Sequence, residues 1–232
     1  MSLRFVRFLC ACLLPLVPLC VLGALVPNAR ADVIVYDNGG PNQHGGSDMT
    51  DFLESEDFTL SGATIISDVN FWNFQLLASD YKGSLYWAIQ ANAAGTPGDT
   101  IASGLTSAVT RAATGLTDTS GIYSEFTNSF NIAPTELGTG TYWLTLHNGP
   151  ITDSNFSDFY WGWTADNGNS QAFDLVAGGP WNAALSENAF QLSGTEVPEP
   201  GSMILVGTIL GGMALGRARL LRRANRKHHA IT

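Results

Sequence analysis

The chain has three cysteines in 232 residues, and all of them (Cys10, Cys12, Cys20) lie within its first twenty. Beyond them the sequence offers no thiolate nucleophile, no cysteine metal ligand and no disulfide. Histidine is nearly as scarce. His44 and His147 stand in the body of the chain, and His228-His229 stands near its end. There is no H-x-x-x-H pair and no G-x-S-x-G elbow, so neither a zinc site nor a Ser-His nucleophile has its sequence signature. Basic residues are almost missing from the middle. Over residues 32–200, Lys82 and Arg111 face all 20 acids, a net charge of −18. Such a field repels phosphate backbones, so no nucleic-acid partner is expected. The middle also lacks a sustained 3.6-residue period and any internal repeat, which argues against helical and solenoid architectures.

What the ends contain is more specific. Arg4 and Arg7 precede an apolar run from Phe8 to Val26, broken by Pro15 and Pro18. Ala29-Arg30-Ala31 then forms an A-x-A cleavage site, so residues 1–31 read as a secretory signal peptide and the mature chain starts at Asp32. The Sec export machinery is the partner this implies. The C-terminus has three parts in order. Val197-Pro198-Glu199-Pro200 comes first. An uncharged apolar stretch begins at Gly201, and with Leu220-Leu221 it reads as a transmembrane helix over 201–221. The cluster Arg217, Arg219, Arg222 and Arg223 resists translocation and holds residues 217–232 in the cytoplasm. The passenger, residues 32–196, is then expected outside the inner membrane. Gly207/Gly211 and Gly212/Gly216 are small-xxx-small pairs that permit close helix contact.

This tripartite tail, Val197 onward, resembles the PEP-CTERM sorting signal in order, spacing and position. The resemblance implies recognition by an exosortase, a membrane cysteine protease-transpeptidase of Gram-negative bacteria. It also implies removal of the tail and delivery to the cell surface, often alongside exopolysaccharide production. The end beyond the arginines, Ala224 to Thr232, is longer than the family often shows. Phrases of the middle also resemble PEP-CTERM passengers: Gly83-Ser-Leu-Tyr-Trp87-Ala-Ile, Gly95-Thr-Pro97-Gly98, Gly140-Thr-Tyr142-Trp143-Leu-Thr-Leu-His147-Asn-Gly149, and Trp181 to Phe190. Such passengers look like β-sandwiches without established activity.

Read from its residues, the passenger is all-β. With 45% apolar residues the chain can form a core. Short segments rich in aromatic and β-branched residues alternate with Gly, Asn, Asp and Pro turns. The expected strands are Val33–Tyr36, Phe52–Leu60, Ile65–Phe74, Ser84–Ala91, Ser107–Arg111, Tyr123–Ile132, Thr141–His147, Phe159–Thr164, Ala172–Val176 and Ala189–Ser193. About ten strands without a helix imply two packed antiparallel sheets, a sandwich or jelly roll. Phe159, Trp161 and Trp163 are expected on one face. Thr96-Pro97-Gly98-Asp99 reads as a type II turn. The loop from Asp37 to Gly46 is expected to be flexible.

Candidate chemistry is thin, and no enzyme is expected. His147 reads as a structural or surface strand-end residue. No cofactor motif is present. Calcium is the one ion that the acidity of an exported domain admits, with oxygens clustered at Asp166-Asn167-Gly168-Asn169 and between Asp48 and Asp57. No stretch matches the D-x-[DN]-x-[DN]-G loop with its distal Glu, so solvated loops and acidic edge strands account for these residues more simply. Glu54, Glu56, Glu125 and Asp158 are the acids a glycosidase would draw on, but no linear pair is evident. Aromatics remain. The passenger holds six Trp, six Tyr and ten Phe. Exposed Trp161, Trp163 or Trp181 would make a stacking platform for sugar rings; the simpler expectation for Trp161 and Trp163 is a place in the core. The sequence thus points to an exported, surface or matrix-associated protein. A glycan-binding module for exopolysaccharide is the alternative, and a carboxylate hydrolase a lower one.

Overall fold

The computed structural model describes residues 33–153, 155–165, 171–175, 180–184, 186–197 and 208. All belong to one compact unit, Ala31–Thr232. The expected signal peptide, Pro198-Glu199-Pro200, the 201–221 segment and the arginine cluster lie outside the described residues, apart from residue 208. No helix among the described residues is long and apolar enough to cross a membrane.

Among the described residues thirteen strands run in order: β1 Val33–Asp37, β2 Gly46–Asp48, β3 Phe52–Leu60, β4 Thr64–Gln75, β5 Leu85–Asn92, β6 Pro97–Thr106, β7 Thr110–Thr117, β8 Ser124–Leu137, β9 Gly140–Asn148, β10 Phe159–Gly162, β11 Gln171–Leu175, β12 Asn182–Ala184 and β13 Phe190–Glu196. One 3-10 turn, Ala78–Asp80, interrupts them. Every strand pair is antiparallel, and the strands form two sheets of seven and six. In the seven-stranded sheet β4 is central. One edge pairs with β8, which pairs with β7. The other edge pairs with β13 along Thr64–Phe71 and with β10 along Asn73–Gln75. The six-stranded sheet has the order β12-β11-β3-β9-β5-β6.

The core follows from strand alternation. Phe58 and Leu60 of β3, Leu85, Trp87 and Ile89 of β5, and Leu144 and Leu146 of β9 turn one face inward. Val69 and Phe71 of β4, Phe130 and Ile132 of β8, Phe159 and Trp161 of β10, and Phe190 and Leu192 of β13 do so from the other sheet. Rings meet across the gap, where Phe58 lies edge-on to Phe190 at 6.4 Å, and within the seven-stranded sheet, where Phe190 lies edge-on to Trp161 at 5.8 Å. Such pairs add to the area they bury by about 0.5–1.5 kcal/mol each.

Three local expectations are corrected. The type II turn at Thr96–Asp99 is absent. The chain turns instead at Ala94-Gly95, both with positive φ, flanked by reciprocal hydrogen bonds between Ala93 and Thr96. That is the geometry of a two-residue hairpin with a primed turn. Pro97 then opens β6, where a missing N–H is tolerated. Accordingly Ser107–Arg111 is not a strand of its own. β6 ends at Thr106 and β7 starts at Thr110. Finally, the Asp37–Gly46 loop is tied down. Asn38 N–H donates to Phe190 O and Asn42 N–H to Trp163 O. The Asn38 and Asn42 amides also reach Asn188 O and Thr164 O, at 2.8 and 2.6 Å.

Candidate aromatic binding site

Tyr160 and Gly162 alternate with inward-facing Phe159 and Trp161, so they face away from the core. Opposite Tyr160 in the register stands Phe74 of β4. A Cβ at Gly162 would come within 3.1 Å of the Phe74 ring, so glycine there lets the buried Phe74 ring pack against the β10 backbone. The tied loop approaches from one side. Gly45 has φ +142 and lies against the Trp163 ring, where a Cβ would stand 3.0 Å from Cζ3. Gly46 packs on the β10 backbone, and a Cβ would meet Trp161 O at 2.5 Å. A side chain at either position would push the loop off the strand. From the other side comes the β7–β8 turn. Asp118 there accepts from the N–H groups of Ile122 and Tyr123 and from the Ser120 hydroxyl. Thr119 N–H donates to Gln43 O and joins the turn to the loop.

Together these segments enclose a cavity of about 200 Å³, open on one side, lined by His44, Gly45, Gly46, Phe74, Asp118, Tyr123, Tyr160 and Trp163. Its walls are aromatic and held in place. Tyr123 and Tyr160 meet at 5.5 Å with their planes 83° apart. The Trp163 indole N–H donates to Ser47 Oγ at 2.9 Å, and Ser47 donates on to Asn188 Oδ1 at 3.0 Å. The Tyr160 hydroxyl donates to Asp158 at 2.9 Å. Burial, and next the Asp158 carboxylate, push the Tyr160 phenol well up, so it stays a neutral donor. The hydrogen bond from Ser120 holds Asp118 below the usual carboxylate range, so a negative charge lines the cavity. The arrangement can hold a flat apolar face between rings while Asp118 and His44 meet polar substituents.

The sequence-derived platform is thereby split. Trp161 is fully buried, and its indole N–H is committed to Ala189 O at 2.8 Å; it offers no face to a ligand. Trp163 lines the cavity although alternation from Trp161 predicts the core. The strand ends at Gly162, and the following backbone bonds Gly45 O and Glu187 O instead of continuing the ladder. Trp181 is half-buried and does not line the cavity. Phe74, Tyr123, Tyr160, His44 and Asp118 were missed as site residues. Tyr160 adjoins Trp161 in the sequence, but nothing linear joins it to Tyr123, Asp118, Phe74 and His44, all in earlier segments of the chain.

The acids of β3 are also corrected. β3 is an interior strand, paired on both edges with β11 and β9, not an acidic edge. Glu54 and Glu56 share the parity of Phe58 and Leu60, so the period of two carries them inward, and both are buried. Glu56 accepts the Asn188 N–H at 2.8 Å and hydrogen-bonds the buried Glu187. Burial, reinforced by Glu187, pushes its carboxyl up to about 11. Burial also raises Glu54, with Asp48 adding to the effect. Glu125 is buried and accepts from the Gln43 amide at 2.5 Å. None of the four nominated acids lines the cavity. His147 is fully buried, with Nδ1 3.1 Å from Gly149 O, and burial depresses its pKa. Asp48 caps its own turn through Thr50 and Asp51. Among the described residues no group of three or more His, Asp or Glu could hold a metal ion, and Asp166–Asn169 lies outside them.

No protein-family model matches the chain, and no curated protein matches it in sequence.

Proposed function

We propose that the protein is an exported β-sandwich of the cell surface or extracellular matrix, and that its aromatic cavity binds one ring of an exopolysaccharide. The carrying observation is the cavity itself: Tyr123, Tyr160 and Trp163 around Phe74, with the Trp163 and Tyr160 polar atoms already engaged internally. Rings so fixed lose little freedom on binding. At about 200 Å³ the space is below the roughly 300–1,000 Å³ of sites for drug-sized ligands, which suits a single sugar unit. Titration calorimetry against oligosaccharides from the producing cell's matrix tests this. Tyr123→Ala and Trp163→Ala should each weaken binding about tenfold, near 1.4 kcal/mol, with the melting transition retained. Unchanged affinity in both would end the assignment.

The route to the surface rests on the tail. Export by Sec, retention by 201–221 and cleavage near Val197-Pro198-Glu199-Pro200 by an exosortase would release a passenger beginning at Asp32. Replacing Glu199, or the cluster Arg217, Arg219, Arg222 and Arg223, is expected to leave uncut precursor in the inner membrane. Intact mass of the surface protein decides it. A mass that still includes Arg217–Thr232 in wild-type cells would contradict processing.

A further inference from the structure

We propose that the sugar ring taken by the cavity carries an ammonium group, so that the ligand is a hexosamine unit with a free amine. This rests on the saccharide reading above. The first ground is the local field. Asp118 lines the cavity, and Asp158 sits 2.9 Å from the Tyr160 hydroxyl. Glu125 is bonded to the amide of Gln43, the residue before His44, and Asp48 is near enough to act on Tyr160. The two cations of the passenger are engaged elsewhere. Lys82 pairs with Asp153 at 3.2 Å. Arg111 is bonded to Asn128, Asn73 and Gln75 and stacked on Tyr81 at 4.2 Å. No lysine or arginine is among the cavity-lining residues. A uronate or sulfated sugar would enter against four carboxylates and a domain charge of −18 over residues 32–200.

The second ground is the kind of wall. Tyr123 and Tyr160 stand at right angles with Trp163 beside them, and the negative faces of such rings attract ammonium groups. An aromatic box with one ionised carboxylate in its lining is complementary to a cation borne on an apolar ring. A neutral sugar would use the rings and leave Asp118 without a counter-charge.

The test is calorimetry on the mature passenger at pH 6.5 and low salt with three probes: glucosamine oligomers, N-acetylglucosamine oligomers and galacturonate oligomers. The free amine should bind at least about tenfold more tightly than its acetylated counterpart, and galacturonate should not bind. Asp118→Asn keeps the backbone-accepting oxygen of the turn and removes the charge, so the preference for the amine should fall at least about fivefold. Tyr123→Ala should weaken binding of the amine ligand about tenfold as well. Equal affinity for amine and acetylated oligomers would overturn the inference and leave the saccharide reading standing. Amine binding that survives both variants would mean attraction to overall charge, and overturns it too. Failure of all three probes would count against the saccharide reading itself.

Discussion

Gly194→Ala is expected to be the most damaging alanine substitution among the described glycines. A Cβ built there falls 2.0 Å from Ile65 O and 2.9 Å from Ile65 C. Both are backbone atoms of β4, the central strand, so no side chain can swing aside. The register between β13 and β4 shifts between Ser193 and Gly194, and β1 pairs with β13 on its far edge. Relieving the clash therefore means parting β13 and β1 from the sheet, and with them the Phe190 and Leu192 side chains from the core. A cost of about 3 kcal/mol or more is expected, since overpacking a rigid site commonly reaches 1–3 kcal/mol. For a domain of this size that lowers Tm by roughly 6–12 °C, or prevents accumulation of folded protein. Gly62→Ala is the control, because a Cβ there meets nothing within 4 Å. Thermal melts of the two variants that coincide would refute the packing argument.

Glu56→Gln should have the opposite sign, and its size should depend on pH. Glu56 is raised in the folded state from the ordinary 4.5 to about 11. Between those values the folded protein holds a proton that the unfolded chain has released, so stability falls as pH rises through this window. Below about 4.5 both states are protonated and the penalty vanishes. Gln can accept from the Asn188 N–H and donate toward Glu187 as the protonated acid does, without titrating. The variant should match wild type at pH 4 and exceed it progressively above. The slope is about 1.4 kcal/mol per pH unit, so the gain at pH 7 approaches roughly 3 kcal/mol as an upper figure. His147 works the other way. Its depressed pKa means that stability is lost as pH falls below the ordinary histidine value of about 6.5. That contribution is common to both proteins and cancels in the difference. Urea melts at pH 4, 6 and 8 measure this. A difference that does not grow with pH would show that Glu56 is not the proton holder.

These two residues mark where sequence patterning succeeds and where it stops. Strands such as Phe52–Leu60 were legible because their apolar residues recur at a period of two with turn formers on either side. The same stretch misled on chemistry. Glu54 and Glu56 read as solvated acids, since carboxylates are seldom buried alone. Their inward direction is set by Phe58 and Leu60 on the same parity. The burial of Glu56 is tolerated through Asn188, 132 residues away, and its neighbour Glu187, which are close only in the fold. β2, β6 and β12 were missed for related reasons. Gly46–Asp48 and Asn182–Ala184 are too short to show alternation, and Pro97–Thr106 is a Gly-, Ser- and Thr-containing edge strand whose partner β5 supplies its order.

By itself the sequence determined that the passenger is all-β and antiparallel, that it does without cysteine, and that its charge disfavours nucleic acid. Those properties depend on composition and on neighbours two residues apart, which the chain carries in linear order. It also supplied the residues from which export and sorting are argued. Only the tertiary structure decided which aromatics face a ligand. Trp161 and Trp163 are two residues apart and share every local signal, yet one is sealed in the core and the other lines a cavity. The difference arises because the β10 ladder ends at Gly162. There the loop around Gly45, the Asp118 turn and the face of β4 converge, and that meeting is fixed by hydrogen bonds and close backbone approach between segments distant in sequence.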